Sequence, residues 1–199
     1  MVTPVHPRAV LLVSSACFVL LALAVVVAGT PPGDGSTRDA LLASASPPVL
    51  AAMRVINDAG SWKLLLPATL LLVLVYRRAR EHWWVWLGLM IAAPATEGLL
   101  KLVIGRQRPE DASMSFPSGH ATAAAAFFGA LIYLAEPLPP LVRRCVRAAA
   151  VAVIVLVATA RVILRAHWPS DALAGIALGL AFASVAALLA RRSRVTQGP

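Results

Sequence analysis

The chain has 199 residues, 59% of them apolar and only 14% charged, and its mean hydropathy is +0.79. That composition excludes an ordinary soluble domain of this size and identifies an integral membrane protein. A net charge of +9 would point to nucleic acid in a soluble chain; here the cations are read by the side of the bilayer they occupy, and no nucleic-acid partner is expected.

A helix needs about 20 apolar residues to cross the hydrocarbon core. Six spans are predicted on that measure, at about 9–28, 62–76, 83–104, 118–134, 146–164 and 169–190, the second and fourth being short. The fold class is therefore all-α: a polytopic membrane protein with six transmembrane helices in one bundle, forming a single domain over 1–199. The first apolar run is long for a signal-peptide core and reads as a retained span. Residues 29–48 carry the run Thr30-Pro31-Pro32-Gly33-Asp34-Gly35-Ser36, which reads as an outer loop. Residues 49–59 mix apolar positions with Arg54 and Asp58 and read as a short interfacial helix on the outer side, the alternative being an extension of the second span.

Residues 77–82 form a tight turn between the second and third spans, and 109–117 a short outer loop with Glu110, Asp111 and Ser113. Pro137, Pro139 and Pro140 interrupt the chain before the fifth span. In the sixth, Gly175 and Gly179 make a small-xxx-small face, read as close packing within the bundle.

Ten of the eighteen cations fall in four places: Arg8; Arg77, Arg78 and Arg80; Arg143, Arg144 and Arg147; Arg191, Arg192 and Arg194. With an even number of spans these lie on one side, which the positive-inside rule makes the cytoplasm. Both termini are then cytoplasmic, in a multi-pass protein of the cell membrane. All five tryptophans (Trp62, Trp83, Trp84, Trp86 and Trp168) sit at predicted span ends, as an interfacial belt requires. Cys17 and Cys145 stand alone, so neither a disulfide nor a structural zinc is expected.

Lys101, Arg108, His120, Arg161, His167 and Asp171 come from the ends of four spans and all fall on the opposite side, facing the periplasm or exterior. Charge near a bilayer is costly unless paired or wetted, so such a cluster marks a functional site. His6 and His82 fall on the other side and read as solvated interface residues. Lys101 and Arg108, seven apart, would share a helix face about 10 Å apart in rise. Pro109 disfavours helix at Arg108 and lets its guanidinium turn back. In Pro117-Ser118-Gly119-His120, Ser118 can cap the fourth span, and Gly119 lets an anion approach the free N–H groups. His167 and Asp171, four apart, can pair through one ring nitrogen, either as a structural ion pair or so that the other nitrogen is free to attack.

Joined in this order, Lys101 with Arg108-Pro109, then Pro117-Ser118-Gly119-His120, then Arg161 with His167 and Asp171, the three motifs resemble those of the type 2 phosphatidic acid phosphatase superfamily. The resemblance implies that His167 is a nucleophile that becomes phosphorylated, that Asp171 orients it, and that His120 protonates the leaving oxygen. It also implies that Lys101, Arg108, Ser118, Gly119 and Arg161 bind the phosphate. No metal or other cofactor is implied, consistent with the lack of a carboxylate cluster. One departure is Ala160, where the third motif usually has serine. Glu97, one turn before Lys101, is read as its ion-pair partner. Arg106 and Arg165 either extend the site toward a second phosphate or anionic headgroup, or snorkel to the interface.

The expected partners are the bilayer and a membrane lipid substrate: a polyprenyl diphosphate, phosphatidylglycerol phosphate or phosphatidic acid. A lipid phosphotransferase and a non-catalytic lipid-binding or transport protein are the alternatives.

Overall fold

The computed structural model describes residues 5–195; the side chains of 193–195, Arg194 among them, and the outermost residues of the expected 1–199 domain lie outside the described residues. The described residues form nine helices: α1 (Pro7–Ala28), α2 (Asp34–Leu42), α3 (Pro47–Asp58), α4 (Trp62–Val75), α5 (Arg77–Arg80), α6 (Trp83–Ile104), α7 (Gly119–Leu134), α8 (Pro140–Ile163) and α9 (Pro169–Val195). No strand occurs among them beyond one isolated bridge, Gln107 to Met114.

Four helices, α1, α6, α8 and most of α9, are long and apolar enough to cross a membrane. Helices α4 and α7 are apolar but shorter, and α2 and α3, bent by 116° at their junction, would make a fifth candidate if taken as one broken span. The segment expected to be an outer loop thus contains α2. Local punctuation is overridden there by tertiary contacts, because Asp34, the first residue of α2, is buried against the start of α9. The expected short helix at 49–59 appears as α3, packed beside α8.

Helix α7 is the hub. It has a run of small residues, Ala121 to Ala126, all of them buried, and it packs most extensively against α9 and then α8. Gly175 and Gly179 make that approach possible: a Cβ on Gly179 would lie 2.3 Å from the Thr122 carbonyl oxygen. The small-xxx-small face is therefore a contact within this chain.

Helix α8, which corresponds to the fifth predicted span, starts at Pro140, six residues before the predicted start. Arg143, Arg144 and Arg147 occupy its first two turns rather than a connection, where Arg143 and Arg147 reach Glu136. Arginine is a good helix former and its long stem lets the charge leave the apolar layer, so the helix outruns the apolar stretch. The basic residues nevertheless gather at one end: Arg78, Glu136 and Arg191 line one cavity of about 190 Å³, and Arg8, Arg191 and Arg192 another of about 400 Å³.

Two interfacial assignments need correction. Trp62, Trp83 and Trp84 are exposed at helix starts, but Trp86 is a core residue and Trp168 is packed between Arg38 and Arg106. His82 is buried at the start of α6 rather than solvated, whereas His6 is exposed. Cys17 and Cys145 are free and exposed.

Candidate active site

Helix α6 ends at Ile104 because Gly105 takes a left-handed conformation (φ 65°), returning its N–H to the Lys101 carbonyl. Lys101 is thus in the last turn, while Arg108 lies beyond the helix in a tight loop. The Arg108 N–H donates to Ser113 O and the Ser115 N–H to Arg106 O in that loop. The expectation that Lys101 and Arg108 share one helix face fails because the helix stops four residues before Arg108. Lys101 Nζ is 2.6 Å from Glu97 Oε1, the ion pair read from their spacing.

The loop leads to Ser118 at the N-terminus of α7. The Ser118 side chain makes no capping bond; its Oγ is fully buried without a protein partner, while its N–H donates to the Asp171 carbonyl. Gly119 has a steric reason beyond anion access, since a Cβ there would approach the Glu97 carboxylate to 3.0 Å. His120, one residue on, rests against Gly60, where a Cβ would lie 2.8 Å from the His120 carbonyl oxygen.

Helix α8 delivers Arg161 in its last turn. Arg165, at φ 61°, turns the chain back, and the His167 N–H donates to the Arg161 carbonyl. Arg161 Nη1 donates to Asn57 Oδ1 at 2.7 Å, and its Nε, like that of Arg108, is buried without a partner. His167 sits just ahead of α9 and is 1% exposed; its Nδ1 is 3.5 Å from Asp171 Oδ2. That contact turns Nδ1 toward the carboxylate and leaves Nε2 for another partner. The electrostatic neighbours of His120 are Arg161, His167, Lys101 and Arg108, so residues from α6, α7, α8 and the start of α9 converge.

Arg106 is not an extension toward a headgroup. It is 8% exposed, and its guanidinium holds Asp171 Oδ1 at 2.6 Å, Ser170 Oγ at 2.7 Å and Asp34 Oδ2 at 2.7 Å. Arg165 is largely exposed at the rim and pairs with Glu110, which also binds Arg38. Asp34 and Asn57 are contributors that motif reading missed, since both lie far from the motifs in sequence. The available signal for Asp34 was its scarcity value: the chain has only nine acidic residues. Ala160 is fully buried in the last turn of α8, next to Arg161.

Burial pushes the pKa of His167 down from 6.5 to about 4, against the opposing pull of Asp171. A nucleophilic imidazole must be neutral, and a lowered pKa keeps it so across the neutral range. The acidic limb of kcat/KM that belongs to this group should therefore fall only as pH drops through about 4, not through 6.5. A pH profile of the free enzyme checks this, because an acidic limb at 6.5 with no step near 4 would assign His167 an unperturbed ring.

Taken together, three cations, an unpartnered hydroxyl, a helix N-terminus and a histidine–aspartate pair form a site that can bind a tetrahedral anion and transfer its central group. Among the described residues no three His, Cys, Asp or Glu side chains converge as metal ligands.

Comparison with known proteins agrees with this chemistry. The chain is 32% identical over 177 residues to phosphatidylglycerophosphatase B of Bacillus subtilis, covering 82% of this chain and 86% of that protein. It is 32% identical to decaprenylphosphoryl-5-phosphoribose phosphatase of Mycobacterium tuberculosis, covering 67% of this chain and 76% of the relative. It is also 30% identical to lipid A 1-phosphatase of Rhizobium johnstonii over 58% of this chain, spanning about half (52%) of that relative's length. The crystal structure of a transmembrane PAP2-type phosphatidylglycerolphosphate phosphatase from Bacillus subtilis superposes with a TM-score of 0.74 at 26% identity, covering 96% of this chain and 97% of the other. Residues 82–194, which carry all three motifs, match the family model of the PAP2 superfamily, and the chain belongs to that superfamily.

Proposed function

We propose that this protein is an integral-membrane lipid phosphatase that removes the terminal phosphate of a lipid phosphate or diphosphate through a phosphohistidine. The observation that carries the reading is that Lys101 and Arg161 act electrostatically on both the His120 and His167 rings, and Arg108 on His120, at one end of an apolar bundle. In this mechanism His167 Nε2 attacks phosphorus while the bond to the lipid oxygen breaks. His120 donates a proton to that oxygen, and the three cations with Ser118 Oγ and the Gly119 N–H stabilise the non-bridging oxygens. His120 then takes a proton from the water that attacks the phosphohistidine, which releases phosphate and restores both rings. Positive charge comes from side chains, so the mechanism needs no metal.

We further propose six spans, with α4 and α7 as the short ones, α3 on the outer interface and both termini cytoplasmic. The basic end of the bundle then faces inward and the site outward, toward a lipid of the outer leaflet. The relative that is 32% identical over an alignment covering 82% of this chain, a phosphatidylglycerophosphatase, supports phosphatidylglycerol phosphate as the substrate, ahead of phosphatidic acid and a polyprenyl diphosphate.

Phosphate release from these three lipids, without added metal, tests the reading. His120→Ala adds a graded check: a diphosphate expels a phosphate, which needs less protonation than the alkoxide expelled from a monoester. The variant should lose more activity on phosphatidic acid than on the diphosphate, and equal losses would remove His120 as the acid. Release of phosphate in the presence of alcohols, without phosphoryl transfer to them, separates a hydrolase from a phosphotransferase. No release from any of the three lipids would favour a binding or transport protein.

A further inference from the structure

Behind His167 lies a buried ionic chain that the phosphate-binding groups do not use. Asp171 Oδ2 accepts the Trp168 N–H at 2.9 Å and faces His167 Nδ1, while Asp171 Oδ1 accepts from Arg106. The second end of the same guanidinium is held by Asp34 Oδ2, and the Trp168 ring covers it at 5.3 Å. Asp34 is fastened in turn: its Oδ1 accepts the Ser170 N–H at 2.8 Å and its Oδ2 the Ser170 hydroxyl at 2.6 Å. The side chains of Asp34, Arg106 and Asp171 are 4%, 6% and 0% exposed, so this chain is shielded from solvent.

The charge count of this chain has a consequence for the dyad. Were Arg106 paired with Asp171 alone, the pair would be neutral and would do little for positive charge on the neighbouring ring. With Asp34 as a second carboxylate on the same guanidinium, two negative charges face one positive charge, and a net negative charge remains behind His167. That surplus favours the cationic ring that forms when His167 carries a phosphoryl group. Asp34 also fixes direction, because it holds Arg106 Nη2 and Ser170 while Arg106 Nη1 holds Asp171 Oδ1, which restrains the Asp171 carboxylate from rotating away from Nδ1.

We infer that Asp34, at the first residue of α2, is a positioning residue for the reaction: acting through Arg106 and Ser170, it orients Asp171 and maintains the negative charge behind His167. The inference rests on the hydrolase reading above. It makes α2 part of the catalytic apparatus although none of its residues is in a motif, and it explains why a carboxylate is buried in a segment of turn-forming composition.

The test is the steady-state kinetics of purified full-length Asp34→Asn on short-chain phosphatidic acid and phosphatidylglycerol phosphate, with thermal unfolding measured alongside. The substitution preserves shape and an acceptor for the Ser170 N–H but removes the charge. The expected result is a fall in kcat of about 100-fold with KM within about twofold, because the phosphate-binding cations are untouched. Lower thermal stability with unchanged kcat would reduce Asp34 to a structural fastening and overturn the inference. A raised KM at constant kcat would do the same. If Asp34→Asn does not fold, Ser170→Ala removes two hydrogen bonds of the same chain, the one its hydroxyl accepts from Arg106 and the one it donates to Asp34; it should lower kcat about tenfold at constant KM, and an unchanged kcat overturns the inference. Wild-type protein without phosphate release would overturn the hydrolase reading and this inference with it, whereas wild-type turnover matched by Asp34→Asn overturns this inference alone.

Discussion

His167→Asn should abolish phosphate release from every lipid tested, with a loss of at least about 10,000-fold, and should abolish the acid-labile phosphoenzyme as well. Asparagine keeps an amide nitrogen near the position of Nδ1, so the contact with Asp171 and the local packing are largely preserved. What disappears is Nε2, the ring nitrogen turned away from the carboxylate. The ring is almost fully buried and its backbone N–H is tied to the Arg161 carbonyl, so the position of Nε2 is held firmly. The alternative nucleophile is His120, and the variant distinguishes the two. A phosphoenzyme retained in His167→Asn and lost in His120→Ala would reverse the assignment. Rapid quenching after a single turnover, followed by acid and base lability of the bound phosphate, is the measurement.

Gly175→Ala is expected to cost about 1–3 kcal/mol of stability and most of the activity of the protein that remains folded. The added Cβ would lie 2.6 Å from the Ser118 carbonyl oxygen and 2.9 Å from Ala121 Cβ. The first of these neighbours is backbone at the start of α7, which cannot swing aside as a flexible side chain would. Relief requires α9 to move away from α7, and those helices carry the two halves of the site: His167 and Asp171 at the start of one, Ser118 and His120 at the start of the other. The Ser118 N–H to Asp171 O bond that joins the halves would lengthen with them. Thermal unfolding in detergent combined with kcat/KM checks both effects, and a fully stable, fully active variant would show that the helices have slack at this crossing.

Much of this site was legible because its residues are chemically improbable where they stand. A lysine, two arginines and two histidines at the ends of oily segments need a reason, and motif spacing supplied one for Lys101, Arg108, His120, Arg161 and His167. The pairing of Glu97 with Lys101 was legible for the same reason, as an i,i+4 pair inside one helix. Arg106 was expected either to extend the site toward a second phosphate or headgroup or to snorkel to the interface, and it does neither, being buried against Asp34, Ser170 and Asp171. Its partners, Asp34 and Ser170, are 72 and 64 residues away, and only the closure of the bundle brings them into contact. The same holds for Asn57, which reaches Arg161 across 104 residues. Ser118 was read as a helix cap from its residue type, yet its hydroxyl makes no capping bond, and it is the Ser118 backbone N–H that fastens the start of α7 to the Asp171 carbonyl.

Composition and hydropathy by themselves determined that the chain is a helical membrane protein, since a bilayer penalises any unpaired backbone group and so enforces helix wherever an apolar run is long enough. The sign and placement of the charges separated a basic end from the end at which the motif residues gather. Only the tertiary structure decided how that chemistry is held. It turned a presumed loop into α2, moved Arg108 off the helix of Lys101, and set Arg106 between two buried carboxylates. The physical reason is range. Transfer free energy acts residue by residue and can be summed along a sequence, whereas a buried ion pair is stable only once desolvation is offset by partners that distant segments provide.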